Sequence, residues 1–452
     1  MSLADKKFLL TMYRLASPIV AQNFIIFSLG MVDVLMIGQL GEGAVAAVGV
    51  ADQVFFLAIL MFFGITSGAA IFTAQYWGKK DIRRIRSVLG LCLAMSLAGA
   101  LFFSTVAVLA PAWVIGIYST DPEVIALGSS YLRVVGLSYA ATAITTSYSA
   151  VLRSIENVKL PMLVSLMALS LNTVLNYGLI FGNFGLPALG VTGAAIATAG
   201  SRALEAVLLL VIIYGSKLPV AASPAEMFDF SSISLPQFFK TTLPVVGTEI
   251  AWSFGITTYN IVFARIGTES IAAFNIAATV DRLIFVIFIG LGNACAIMIG
   301  NRIGAGEQDI ATSYGKRYLV LGPFIAVLVG LIMVMISNPI LSLYKVSADT
   351  VAYARYIMLI MAMSLPIRSS NLLALIGILR SGGDTRYAFF IDAGAIWCIG
   401  VPLAFLGAFV LQLPVHWVYL MVMTEEVVKL ILSLQRFFSQ RWMHMLAVPA
   451  SG

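Results

Sequence analysis

The chain has 452 residues, 60% of them hydrophobic and 11% charged, with a formal net charge of +6. A soluble domain carries about 45–50% apolar and about 25% charged residues, so this surface belongs in lipid, as the mean hydropathy of +0.98 agrees. The positive balance does not mark a nucleic-acid binder, because Lys and Arg collect in alternate loops as the positive-inside rule requires.

A membrane helix needs about 20 mostly apolar residues. Twelve such stretches follow one another, starting near Phe8, Ala44, Val88, Val124, Pro161, Gly190, Phe239, Ile271, Tyr314, Val351, Tyr387 and His416. They are too long and too uniformly apolar for barrel strands, so an all-α integral membrane protein with twelve transmembrane helices is expected. The first apolar stretch is far longer than the core of a cleaved signal. Lys6 and Lys7 lead the chain; Lys79, Lys80, Arg83, Arg84 and Arg86 fill one loop; Arg153 and Lys159 another. Arg302, Lys316 and Arg317, then Arg380 and Arg386, fill two more, and Arg436 and Arg441 close the series. The loops around Gly41, Pro111, Gly185 and Leu411 are nearly free of them. Both termini are therefore expected in the cytoplasm. Cys92, Cys295 and Cys398 fall in apolar spans and read as buried, inert thiols.

The chain repeats itself. Ser17-Pro18-Ile19-Val20 answers Leu243-Pro244-Val245-Val246, and Leu40-Gly41 answers Ile266-Gly267, both at an offset of 226 residues. Leu152-Arg153-Ser154 answers Leu379-Arg380-Ser381, and Thr198 answers Thr424. Two pseudo-symmetric six-helix bundles follow, residues 1–214 and 239–452, joined by a cytoplasmic linker at 215–238. An even number of spans per half makes the repeats parallel, an arrangement that favours alternating access by rocking around a site at or beside the junction of the halves.

Several local motifs resemble the multidrug and toxic compound extrusion (MATE) transporters. They are Met31-Val32-Asp33-Val34 leading to Gly38-Gln39-Leu40-Gly41, Leu152-Arg153 before Pro161, Asn172 to Asn176, and Gly190 to Thr198. In the second half they are Gly300 to Gly306 and Leu379 to Asp384. The resemblance covers nearly the whole chain. It implies a secondary antiporter, not an enzyme, that exports organic, often cationic and aromatic compounds in exchange for protons or sodium ions. The alternative is a flippase for lipid-linked or amphipathic substrates from the same superfamily, but intramembrane acids outnumber bases here, which favours cationic cargo.

A charge within the bilayer is a functional hypothesis by default. The candidates are Asp33, Asp52, Glu205, Glu249, Asp281, Asp392, Glu425 and Glu426. Asp33 has no basic neighbour within one helical turn, so it can carry a proton, or hold a cation where other oxygens converge. The resemblance implies a cation-coupling site of Asp33, Asn172, Asn176 and Thr198, which are the ligands if the ion is sodium. Some family branches carry an acid where Asn176 stands. In the second half the offset carries Asp33 onto Tyr259, and the acids expected to couple are Glu249 and Asp281. Arg202 with Glu205, and Glu425 with Lys429, have the spacing of helix ion pairs. Arg368 needs a partner that the sequence does not name, and Asp52 and Asp392 have no assigned place.

Trp252, Tyr259, Tyr148 and Asn371 are the candidates for binding substrate, with Phe254 and Trp397 as further rings for cation–π contact. The expected partners are organic cations and the lipid bilayer, with no nucleic acid and no cofactor beyond a bound sodium ion or proton. His416 and His444 are the only histidines, and neither an HExxH zinc motif nor a GxxxxGK[ST] phosphate loop occurs. A monomer in a prokaryotic inner membrane suffices.

Overall fold

The structure, a computed structural model, describes residues 5–344 and 346–446. Among them every regular element is helical, apart from one isolated bridge between Gly383 and Met443. The spans are α1 (Lys6–Gly38), α2 (Glu42–Gly78), α3 (Ile82–Leu109), α4 (Pro122–Gly136 continuing as Tyr139–Ser154), α5 (Lys159–Phe181) and α6 (Gly190–Gly215). The second half gives α7 (Leu235–Ile266), α8 (Thr268–Gly304), α9 (Gln308–Leu341), α10 (Ala348–Arg380), α11 (Thr385–Val410) and α12 (Val415–Val422 continuing as Thr424–Phe438). Every start lies within a turn or two of its expected position. Nine of the described helices are long and apolar enough to cross a membrane, and α4, bent by 48°, makes a tenth. The other two complete the twelve. α7 carries Lys240, Glu249 and Arg265, while α12 breaks at Met423 and carries Glu425, Glu426 and Lys429.

Local chemistry sets several starts. Asp81 accepts from the Arg84 N–H at the head of α3, Asp121 from Glu123 at the head of α4, and Ser347 from Thr350 at the head of α10. Each satisfies one of the donors that a helix start leaves unpaired.

Two compact units emerge: Ala21–Thr242, and residues 5–20 with 243–446. α1 and α7 thus each begin in one unit and finish in the other, and each carries a proline near the crossing, Pro18 and Pro244. The core of the first unit is rich in small residues, with Ala47, Ala58, Ala100, Ala107, Ala143 and Ala195 fully buried around Phe62 and Ile115. The second unit packs Val262, Ala273, Ala277, Met333, Ile357, Val415 and Val418 in the same way. Lipid offers no hydrophobic drive between helices, so close packing of small residues supplies the contact. Gly193 is the sharpest case: a Cβ there would run into the backbone of Leu179 on α5. Gly193→Val is expected to cost about 1–3 kcal/mol through overpacking. A lowered melting temperature in detergent, relative to the exposed-site control Gly200→Ala, checks it.

The expected linker is structured and tied to α3. Residues Pro224–Met227 form one helical turn, capped reciprocally by Ser223 and Glu226. Arg83 pairs with Asp229 at 2.7 Å, Arg86 with Glu226 at 2.5 Å, and Arg84 donates to the Ser232 carbonyl at 3.0 Å. The Ser223 N–H and the Arg86 guanidinium hold the Glu226 carboxyl below its usual range. The clasp is therefore complete at neutral pH and weakens only as pH falls through that lowered value. Arg83→Ala with Arg86→Ala should open the linker to limited proteolysis while leaving helical content unchanged.

Cys92 and Cys295 are buried and free, as expected, whereas Cys398 is exposed. It lies in a π-helical stretch of α11, Ile396–Gly400.

Candidate functional site

Asp33 sits on the second half of α1, where α5 and α6 meet it. Asn176 Nδ2 donates to Asp33 Oδ1 at 2.7 Å. Asn172, one turn earlier on α5, faces the same carboxylate. With its amide nitrogen turned towards Asp33 it donates to both oxygens, at 3.2 and 3.0 Å, and its own oxygen accepts from Ser201 Oγ at 3.3 Å. Thr198 Oγ1 lies 3.5 Å from the outer amide atom of Asn172. The expected group of Asp33, Asn172, Asn176 and Thr198 is therefore assembled within one unit. Its spacing follows from the helix: residues four apart on α5 share a face.

Two features bear on what this group can do. Asn176 is 1% exposed, and its Oδ1 has no hydrogen-bond partner. A buried carbonyl oxygen without a donor is costly and is a natural ligand for a hard cation. Around Asp33 stand groups that the sequence left unplaced. Asp52 on α2 lies within electrostatic range of Asp33. Tyr131 lies within electrostatic range of both acids. Arg202 lies within electrostatic range of Asp33, yet is engaged by Glu205 at 3.1 Å. Glu205 accepts from Ser165 Oγ at 2.6 Å, which accepts from Gln22 at 2.9 Å. Asp52 was named as an intramembrane acid without a place, and Tyr131 and Ser201 were missed, because they reach the site from α2, α4 and a different turn of α6, and no local spacing announces such a convergence.

The second unit holds a denser ionic centre. Arg368 on α10 binds Asp281 on α8 through two hydrogen bonds of 2.8 Å, which supplies the partner that Arg368 required. Glu249 on α7 pairs with Arg380 at 2.9 Å. Both acids expected to couple in this half are thus held by arginines. Lys429 on α12 contacts Glu425 at 3.4 Å, as its spacing foretold, and also Asp392 at 3.0 Å and Glu426 at 3.3 Å.

Of the substrate candidates, Tyr259 donates to Glu425 at 2.6 Å and Asn371 donates to Glu426 at 2.7 Å, so both belong to this ionic centre. Tyr148 lies in the first unit, 3% exposed, with its hydroxyl 3.0 Å from that of Tyr214. Trp252 and Phe254 are exposed, and Trp397 donates its indole N–H to the Ala251 carbonyl at 3.1 Å. Among the described residues no group of three or more His, Cys, Asp or Glu has the placement to hold a metal ion, so a hard cation at Asp33 depends on amide and hydroxyl oxygens.

The MatE family model matches residues 18–178 and matches again at residues 244–406. The chain belongs to the MatE family. That one model fits twice expresses the duplication read from the 226-residue offset. Among relatives of this MatE chain, the uncharacterized transporter YisQ of Bacillus subtilis (strain 168) is 26% identical over 441 residues, covering 97% of this chain and 96% of its own length. The probable multidrug resistance protein NorM of Thermotoga maritima is 23% identical over 444 residues, covering 95% and 92%. The solved Vibrio cholerae MATE transporter VcmN superposes with a TM-score of 0.87 at 17% identity, covering 98% of this chain and 99% of that one. The fold class read from the sequence is the MatE fold, and the chain is a multi-pass membrane protein of a bacterial transporter family.

Proposed function

We propose that this MatE protein is a secondary antiporter that exports organic, often cationic and aromatic compounds in exchange for protons or sodium ions. The observation that carries the reading is the Asp33 group: a carboxylate inside a membrane span, held by Asn172 and Asn176, beside an unpartnered amide oxygen. In the arrangement described, both amides give N–H to Asp33, which suits a charged carboxylate. A sodium ion requires the amides to turn their oxygens inward, whereas a proton satisfies Asp33 directly. Either event alters how α1 is held by α5 and α6. Ion and substrate need not touch; each must only favour one of two states of an alternating-access cycle.

The relatives named for multidrug resistance support organic cargo. Intramembrane acids exceed bases in both units, which favours cations over the pyrophosphate of a lipid-linked sugar and leaves the flippase as the weaker reading. One chain carries both halves, so a monomer in a prokaryotic inner membrane with cytoplasmic termini suffices, and no enzymatic step is invoked.

The test is uptake of a fluorescent organic cation into proteoliposomes under an imposed sodium gradient or an imposed pH gradient. One gradient is expected to drive transport, which identifies the ion. Failure of both, across several cations, overturns the antiporter reading.

A further inference from the structure

The two halves treat one repeated arginine differently. Arg380 ends the π-helical stretch of α10, is 4% exposed, and is neutralised by Glu249 of α7 at 2.9 Å. The duplication carries Arg380 onto Arg153, in the last turn of α4, and Glu249 onto Asn23 of α1. Asn23 and Arg153 lie in one compact unit, as Glu249 and Arg380 lie in the other. The arginine is repeated, and its acid is not.

Arg153 is thereby left without a counter-charge. It is half-buried, and among the described residues no acid lies within electrostatic range of its guanidinium. The acids of the neighbouring loops are taken. Asp81 is engaged by Arg84, Glu226 by Arg86 and Asp229 by Arg83. Glu156, three residues on, is itself engaged, and not by Arg153. Many buried ionisable groups escape the cost of burial by becoming neutral, but a guanidinium does not give up its proton in a protein. It needs an anion, and this half supplies none.

The surroundings say which anion fits. Thr73 of α2 and Ser154 share a hydrogen bond of 2.7 Å, which fixes the last turn of α4 against α2. Arg153 therefore sits at the end of the bundle that carries the basic loops. Lys159, six residues on, is exposed, and Lys80 is exposed and stacked on Trp77 at 4.5 Å. Tryptophan and basic side chains at one level mark the headgroup region of a bilayer. Basic sites between helices at that level take lipid headgroups, and a guanidinium meets a phosphate through two parallel hydrogen bonds. Phe24 and Ile26, on either side of Asn23, are exposed apolar residues that acyl chains can cover. We propose that Arg153 binds the phosphate of an anionic phospholipid, which serves in the first half as Glu249 serves in the second. Lys80 and Lys159 add positive charge at the rim. The second half closes its own arginine, whereas the first takes its counter-charge from the membrane. The inference goes beyond the antiporter reading and holds whichever ion drives transport.

The test uses the purified full chain in a neutral detergent and reads the melting temperature on addition of dioleoylphosphatidylglycerol, dioleoylphosphatidylcholine or inorganic phosphate. Phosphatidylglycerol should raise the melting temperature of wild type more than phosphatidylcholine does, and Arg153→Gln should lose most of that difference. Asn23→Glu supplies the acid that the second half carries. It should melt at least as high as wild type without lipid and should also lose the response to phosphatidylglycerol. This second variant keeps Arg153 and decides the site even where Arg153→Gln does not fold. A rise with inorganic phosphate that equals the rise with phosphatidylglycerol, and that both variants remove, supports the oxyanion site and assigns it to a soluble anion. A preference for phosphatidylglycerol that survives in either variant, or no response to either phosphate source in wild type, overturns the proposal.

Discussion

Asp33→Asn should abolish gradient-driven efflux while leaving the protein folded. The substitution keeps the shape of the side chain and an oxygen to accept from Asn176 Nδ2, the 2.7 Å bond that ties α1 to α5. It removes the carboxylate at the centre of the group. Outer-shell partners of a bound ion are worth about 10–100-fold in affinity. Loss of the central carboxylate should therefore lower ion affinity by at least about 100-fold. Asn176→Ala, which removes a flanking amide and the unpartnered oxygen, should weaken it by about tenfold. Stability should move the other way. An acid at the centre of a span costs about 2.5–3.5 kcal/mol on insertion scales, so the neutral variant should melt no lower than wild type. Transport of the fluorescent cation in proteoliposomes, with the melting temperature measured on the same preparation, separates the two effects. An Asp33→Asn protein that transports at the wild-type rate under both gradients would remove Asp33 from the mechanism.

The fold was legible because each of its rules is local and repeated. A span is a run of about 20 apolar residues, and the twelve runs were visible one at a time. The duplication was visible because the two copies lie in one frame. The first-half site was half legible. Asn172 and Asn176 announce a shared face by their spacing, and Asp33 announces itself as an acid without a local partner. Asp52 and Tyr131 did not, since α2 and α4 bring them in from elsewhere in the chain. The second half was harder. Lys429 showed its tie to Glu425 by helix spacing, but the contact with Asp392 joins two helices, which no sequence period predicts. Arg368 showed the same limit: its cost in the membrane demanded a partner, yet Asp281, placed beside Arg282 in sequence, is joined to it only by the packing of α8 on α10.

That pair carries the largest expected effect on stability. Arg368→Met should destabilise the protein by about 3–5 kcal/mol, the usual consequence of leaving one charge of a buried pair unpaired. The geometry argues for the upper part of that range. The guanidinium meets Asp281 through two bonds of 2.8 Å and lies 4.9 Å from the Phe285 ring, so both planar faces and edges are used. The side chains of Arg368 and Asp281 are 17% and 10% exposed, leaving little water to take over. The double variant Arg368→Met with Asp281→Leu should recover most of the loss, because an apolar pair of similar volume in place of a buried ion pair is often neutral or stabilising by about 1–4 kcal/mol. Melting temperatures in detergent for the two single variants and the double variant give the coupling between the residues. The same double variant then decides between two roles for Asp281. If the pair only joins α8 to α10, the refolded core should transport as wild type does. If Asp281 also takes part in coupling, the double variant should be stable and silent, a combination that packing alone does not produce.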